Sequence, residues 1–416
     1  MLDWKIGDEH VVIGKPPEAE RPPRAPRPWR RWLARGMGLL AVVAVIALAY
    51  TWRTYTAHHE RLRADAQAAV DSEMATLLSG AQGAVTWDEA ADRLWQTRYV
   101  NFARTWARAV SGQATARVQE VELVAPDLAV VLVETRVGSP GSERVLHSAR
   151  AYRIVGTRWE RTSIDERAWG PWEVTETTQF RLVYHRRDAD LAEAIADGLD
   201  AFAERLAWHY GPFLPQQQRT SVIIDISAPW TDIVRTEEGY RVGSPLASFN
   251  GVDSQDTPAS LVRWNLASAL VNQAAREAGV AAGQNPTSPG TLAQPANPNV
   301  WRGLRGAMLQ AEARLLATPP AGTRQATSAA LRAALAEGRL LPPSRLEAAT
   351  SDMVLTAAEW DAFGEFLVAR YGPDAPSRMI HATRTATTWD ALTREALHVG
   401  GDELDAAFRS WLQERR

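Results

Sequence analysis

The stretch Ser260–Gln273, SLVRWNLASALVNQ, decides how the second half of this chain is read. Its apolar residues Leu261, Trp264, Leu270 and Val271 fall on one side of a helix, which predicts a core helix packed inward. Upstream, QFRLVYHR reads as a strand, DADLAEAIADGLDAFAERLAWHYG as one long amphipathic helix, and TSVIIDIS as a second strand. The long helix carries Leu191, Ile195, Leu199, Phe202 and Leu206 near 3.6-residue spacing and has a stop at Gly211. Downstream, AAGQNPTSPGTLAQPANPNV (281–300) is a long Pro/Gly/Asn-rich loop of the kind that borders binding sites, and WRGLRGAMLQAEARLLA returns to helix. Strands mixed with long helices predict an α+β fold.

The chain has 416 residues, which suggests two or three domains. A net charge of −3 gives no reason to expect a nucleic-acid partner. There is no cysteine, so disulfides, thiol catalysis and cysteine-held metals are excluded. The only lysines are Lys5 and Lys15, so everything downstream lacks a lysine base, a Schiff-base lysine or a P-loop lysine. No cofactor is expected.

Residues Gly36–Trp52, GMGLLAVVAVIALAYTW, carry no charge and are flanked by Arg35 and Arg53. Seventeen residues at 1.5 Å rise just cross a hydrocarbon core of roughly 30 Å. Trp29, Trp32 and Trp52 supply interfacial anchors. RPPRAPRPWRRWLAR, directly before it, holds six arginines and no acid, which predicts a cytoplasmic N-terminus and an extracytoplasmic bulk. The bilayer is thus the first expected partner, through residues 36–52, with residues 1–35 a disordered cytoplasmic tail. The Ala47–Ala49 stretch fits a signal-peptide cleavage pattern, but the long N-terminal region favours a retained anchor.

Beyond the anchor, two helical segments precede four alternating strands, ATARVQEVEL, LAVVLVETRV, RVLHSARAYRIV and RWERTSI, with Gly156–Thr157 at a two-residue hairpin turn. The words VQEVELVAPDLAVVLVET and YRIVGTRWERT, closed by Trp169–Gly170, make residues 59–169 resemble the NTF2-like (SnoaL-like) cone fold. That resemblance implies a cavity used for a ligand, for catalysis or for packing. His147 lies on a predicted strand without an identifiable partner, and HERLR at His59–Arg63 lacks the second histidine of a zinc motif.

FLVARYGPDA, TWDALTREALHVGGDEL and AAFRSWL near the C-terminus, with the strand–helix–strand opening, make residues 178–414 resemble peptidase-MA-like (gluzincin-type) metallopeptidases. Such an enzyme needs H-E-x-x-H on a helix: two histidines for zinc and a glutamate as base, with a further glutamate ligand downstream. Laid on that pattern, Trp264 and Ser268 stand for the histidines and Asn265 for the base, while Leu304 or Arg305 stands for the third ligand. An indole N–H only donates, an amide takes no proton at neutral pH, neutral serine is a poor zinc ligand, and a guanidinium repels the ion. No catalytic or metal-binding residue is therefore expected. The eight histidines contain no H-x3-H pair, no G-x-S-x-G word occurs, and Asp361, Glu365 and Glu277 read more simply as solvated helix faces than as a glycosidase pair. The expectation is a membrane-anchored extracytoplasmic protein with a catalytically silent peptidase-like domain that binds envelope polypeptides. A metallopeptidase with unorthodox ligands and a small-molecule sensor using the NTF2-like cavity are the alternatives.

Overall fold

A computed structural model describes residues 28–79, 85, 87, 92–110, 114–138, 143–215, 218–227, 233–249, 251–279, 301–347 and 353–415. Residues 1–27, most of the expected tail, and the loop 281–300 lie outside the described residues. The fold is mixed α+β and divides into two compact units, residues 1–62 and 63–416.

Helix α1 (Pro28–Leu78) supplies the described part of the first unit. Among the described residues it is the one helix long and apolar enough to cross a membrane, and none of its apolar window is buried. Leu40, Val43, Ile46 and Leu48 all face outward.

In the second unit the end of α1 and helix α2 (Arg93–Val110) cover one face of an antiparallel sheet. Its strands are β1 (Ala114–Ala125), β2 (Leu128–Val137), β3 (Arg144–Val155) and β4 (Arg158–Thr162). These follow the alternation legible in the sequence, and Gly156, at φ +64°, turns β3 into β4 as the hairpin requires. Along β2 the pleat sends Val131 and Val133 toward the helices and Leu128 and Val130 to the other face. There they meet Ile164, Ala247 and the short helix α3 (Glu166–Trp169).

The second sheet has the order β5-β6-β7-β9-β8, from β5 (Trp172–Glu176), β6 (Phe180–His185), β7 (Thr220–Asp225), β8 (Val234–Arg235) and β9 (Gly239–Gly243). β6, β7 and β9 run parallel, and the two outer strands are antiparallel. A Cβ at Gly239 would fall on the carbonyl oxygen of Ser221 in β7, so only glycine lets these strands close. The helix expected over residues 188–211 is two helices, α4 (Ala189–Ala196) and α5 (Leu199–Tyr210). Gly198 between them takes φ +78°, a left-handed conformation that breaks the helix while leaving the apolar stripe in register. Gly211 ends α5 as expected.

The chain next forms β10 (Val252–Asp253), which pairs with Leu146 and His147 of β3 and so belongs to the first sheet. The regions expected as separate domains, 59–169 and 178–414, therefore share a strand, and from residue 63 onward both lie in one compact unit. Helix α6 (Pro258–Glu277) follows, started by Thr257 and Ser260, each of whose side chains accepts the other's backbone N–H. The remaining elements are helices: α7 (Arg302–Ala313), α8 (Ala321–Glu337), α9 (Pro343–Leu346), α10 (Met353–Tyr371), α11 (Ala375–Ala382), α12 (Trp389–Leu397) and α13 (Gly401–Glu414). Leu266, Leu270 and Val271 of α6, Leu304 and Met308 of α7 and Phe363 and Phe366 of α10 form the centre of their core.

Candidate functional site

Two places carry unusual chemistry. The first is the row of positions on α6 and α7 marked in the sequence. Leu261, Leu270 and Val271 are fully buried, and Trp264 is half-buried against the same core, as a packing helix requires. Asn265 and Ser268 are half-buried. The Ser268 hydroxyl donates to the Trp264 carbonyl at 2.9 Å, one turn back on its own helix. On α7, Leu304 is wholly buried and Arg305 nearly so. Arg305 Nε donates to Thr383 Oγ1 at 2.9 Å and Nη2 to the Thr383 carbonyl at 3.3 Å. Burial pushes its guanidinium below its usual value, with the Glu347 carboxylate opposing. Glu347 accepts the backbone N–H groups of Gly303 and Leu304 and so caps the start of α7. These side chains are thus engaged in packing and in bonds to their own scaffold.

No group of three or more His, Asp or Glu able to hold a metal occurs among the described residues. Asp361 and Glu365 are both held by Arg314, at 2.7 and 2.8 Å, while Glu277 pairs with Arg235. His147 sits in β3 opposite Val252. Among the anchor flanks, Arg53 is exposed on α1; the side chain of Arg35 lies outside the described residues.

The second place was not singled out from the sequence. On the inner face of the first sheet, Glu73 of α1 is buried against Arg150 of β3 and Arg161 of β4. Its Oε1 accepts the Tyr99 hydroxyl at 2.8 Å and its Oε2 the Tyr152 hydroxyl at 2.6 Å. Arg150 Nη1 lies 3.2 Å from Oε2, and Arg161 Nε 3.8 Å from Oε1. Arg161 is also stacked over the rings of Trp95 and Tyr152, at 5.1 and 5.3 Å. These groups meet because Tyr152 pairs with Arg161 across the β3–β4 hairpin, and Arg150, two residues earlier, shares the face of Tyr152. Burial raises the Glu73 carboxyl, but Arg150, Arg161 and the two hydroxyls outweigh it and bring it to about 2. Burial and the same carboxylate push both tyrosines well above their usual range. All three are therefore fixed in one protonation state near neutral pH and are poorly suited to proton transfer.

Two guanidinium groups face one carboxylate, so the cluster carries one net positive charge. Arg150 is 7% exposed and Arg161 4%. Even so, Arg150 Nη1 and Arg161 Nε and Nη1 have no hydrogen-bond partner among the described residues, the first two meeting Glu73 only as ion pairs. Both arginines, with Glu73, Tyr99, Ser148 and Phe249, line a cavity of about 30 Å³.

One signal could have exposed this site. Val70, Glu73, Met74 and Leu77 lie on one helical stripe, so a charge stands where the pattern calls for an apolar side chain. Another buried carboxyl, Asp188, accepts from Trp169 Nε1 and Ser244 Oγ, each at 2.8 Å. Burial raises it to about 6 against the pull of those two bonds and of His185 and Arg187.

No protein-family model matches this chain, and no curated protein matches it significantly.

Proposed function

We propose that this chain is a single-pass membrane protein whose extracytoplasmic part binds polypeptide without cleaving it. In this reading, residues 59–169 are an NTF2-like cone and residues 178–414 a zincin-like scaffold that has lost its catalytic centre. The observation that carries it is the fate of the α6 and α7 positions. Where two zinc ligands, a base and a third ligand would stand, there are an indole, an amide, a hydroxyl bonded to its own helix and a guanidinium bonded to Thr383. None of these suits a zinc ion as ligand or serves as the general base for its water.

What remains of such a scaffold is a sheet with a free edge. Among the described residues β5 ends the second sheet, with Trp172 and Val174 exposed on it, and such an edge can take an extended peptide as an added strand. The outward-facing apolar helix and the arginine-rich stretch before it support the tether and its orientation.

Metal analysis of the purified full chain tests the loss of catalysis: less than one-tenth zinc per chain is expected as an order of magnitude. Stoichiometric zinc with peptide hydrolysis overturns it. The binding role is tested by presenting the immobilised protein with envelope extract. Retention of a defined polypeptide, weakened by charge placed at Val174, is expected; retention of none sinks the role.

A further inference from the structure

The charge balance around Glu73 leaves one side unanswered. A buried guanidinium without a full set of acceptors is among the costliest arrangements in a protein interior, and here two of them share one carboxylate. Each Glu73 oxygen accepts one tyrosine hydroxyl and also faces one of the two guanidinium groups, so its single charge is shared between both. Arg150 Nη1 and Arg161 Nε meet Glu73 only as ion pairs, at 3.2 and 3.8 Å, and Arg161 Nη1 has no hydrogen-bond partner among the described residues. Both arginines line a cavity that also presents Ser148, Ser248 and Thr135, the last already accepting from Arg150 Nη2 at 3.4 Å.

We propose that this cavity is a binding site for one small monovalent anion, held by Arg150 and Arg161. Charge limits the occupant more than size does. The cavity leaves about 30 Å³ for the centres of water-sized groups, which admits a halide or a small carboxylate. A single negative charge brings the cluster of two guanidinium groups and Glu73 to neutrality. A planar oxyanion also matches the fork of N–H donors that a guanidinium presents. Phe249 helps to line the cavity from the loop before β10, and it packs on Trp95, Tyr99 and Phe102, with ring centroids 4.5, 5.4 and 5.7 Å apart. The anion therefore sits among residues of both the cone and that later loop. This site stands apart from the peptide-binding role and does not depend on it.

The test uses the full chain in detergent, in a zwitterionic buffer free of small anions, titrated calorimetrically with formate and with bromide. Saturable one-to-one binding is expected, weakened about 10–100-fold in Arg161→Gln, which loses charge-assisted donors. Absence of saturable binding, or unchanged affinity in a folded Arg161→Gln, overturns the proposal. If that variant does not fold, crystals of the unaltered protein soaked in bromide decide. An anomalous peak beside Arg150 and Arg161 supports the site, and water alone there overturns it.

Discussion

Replacing Glu73 by Gln keeps an acceptor for one tyrosine and removes the negative charge that Arg150 and Arg161 face. Breaking a buried ion pair from one side costs about 3–5 kcal/mol, so Glu73→Gln is expected to lower the unfolding midpoint steeply in a thermal melt. The pH dependence has the same origin. Because the folded-state value is depressed from 4.5 to about 2, Glu73 stabilises the fold fully above pH 4.5, and that stabilisation is lost as pH falls toward 2. Asp188 behaves in the opposite sense. Its folded value is raised from 3.8 to about 6, so its protonated form favours folding below pH 3.8, and this benefit disappears as pH rises through 6. Asp188→Asn can still accept from Trp169 and donate to Ser244 without a charge. It is expected to gain on the order of 2 kcal/mol at pH 8 and little at pH 4, read from melts at the two values.

At the scale of elements, the start of α6 offers a local test. Thr257→Ala removes one half of the reciprocal cap with Ser260 and is expected to cost about 1 kcal/mol, measured by denaturant unfolding. What the sequence disclosed follows from the range of each interaction. Four of the five strands of the first sheet were legible because alternate residues face two buried surfaces, and the hairpin at Gly156 because its turn is local. The break at Gly198 was hidden, since an apolar stripe continues through it from Ile195 to Leu199. The two-residue strands β8 and β10 are too short to show any period. Leu261, Leu270 and Val271 were read from helical spacing, whereas the charge cluster joins Glu73, Arg150 and Arg161 from three separate elements. Only the misplaced charge on the α1 stripe pointed to it.

For the molecule as a whole, the exchange of one strand between regions outweighs the apparent division near residue 170. β10 completes the edge of β3, the Ala149 N–H donates to the Leu246 carbonyl at 2.8 Å, and Ala247 and Phe249 fill the two faces of the first sheet. A fragment of residues 63–176 lacks all of these. It is expected to keep far-ultraviolet circular dichroism but to bind a hydrophobic dye and melt without a cooperative transition, whereas residues 63–416 melt cooperatively.

The same late strand has a consequence in time. β3 ends at Val155 and β10 begins at Val252, roughly a hundred residues further along the chain. At ordinary synthesis rates of about 5–20 residues per second, the first sheet waits on the order of 5–20 s for its last strand and for Phe249. During that interval Trp95, Tyr99 and Phe102 have no ring from Phe249 to pack against. The nascent chain is then at its most sticky, and a chaperone that holds aromatic surface would find its substrate in that window.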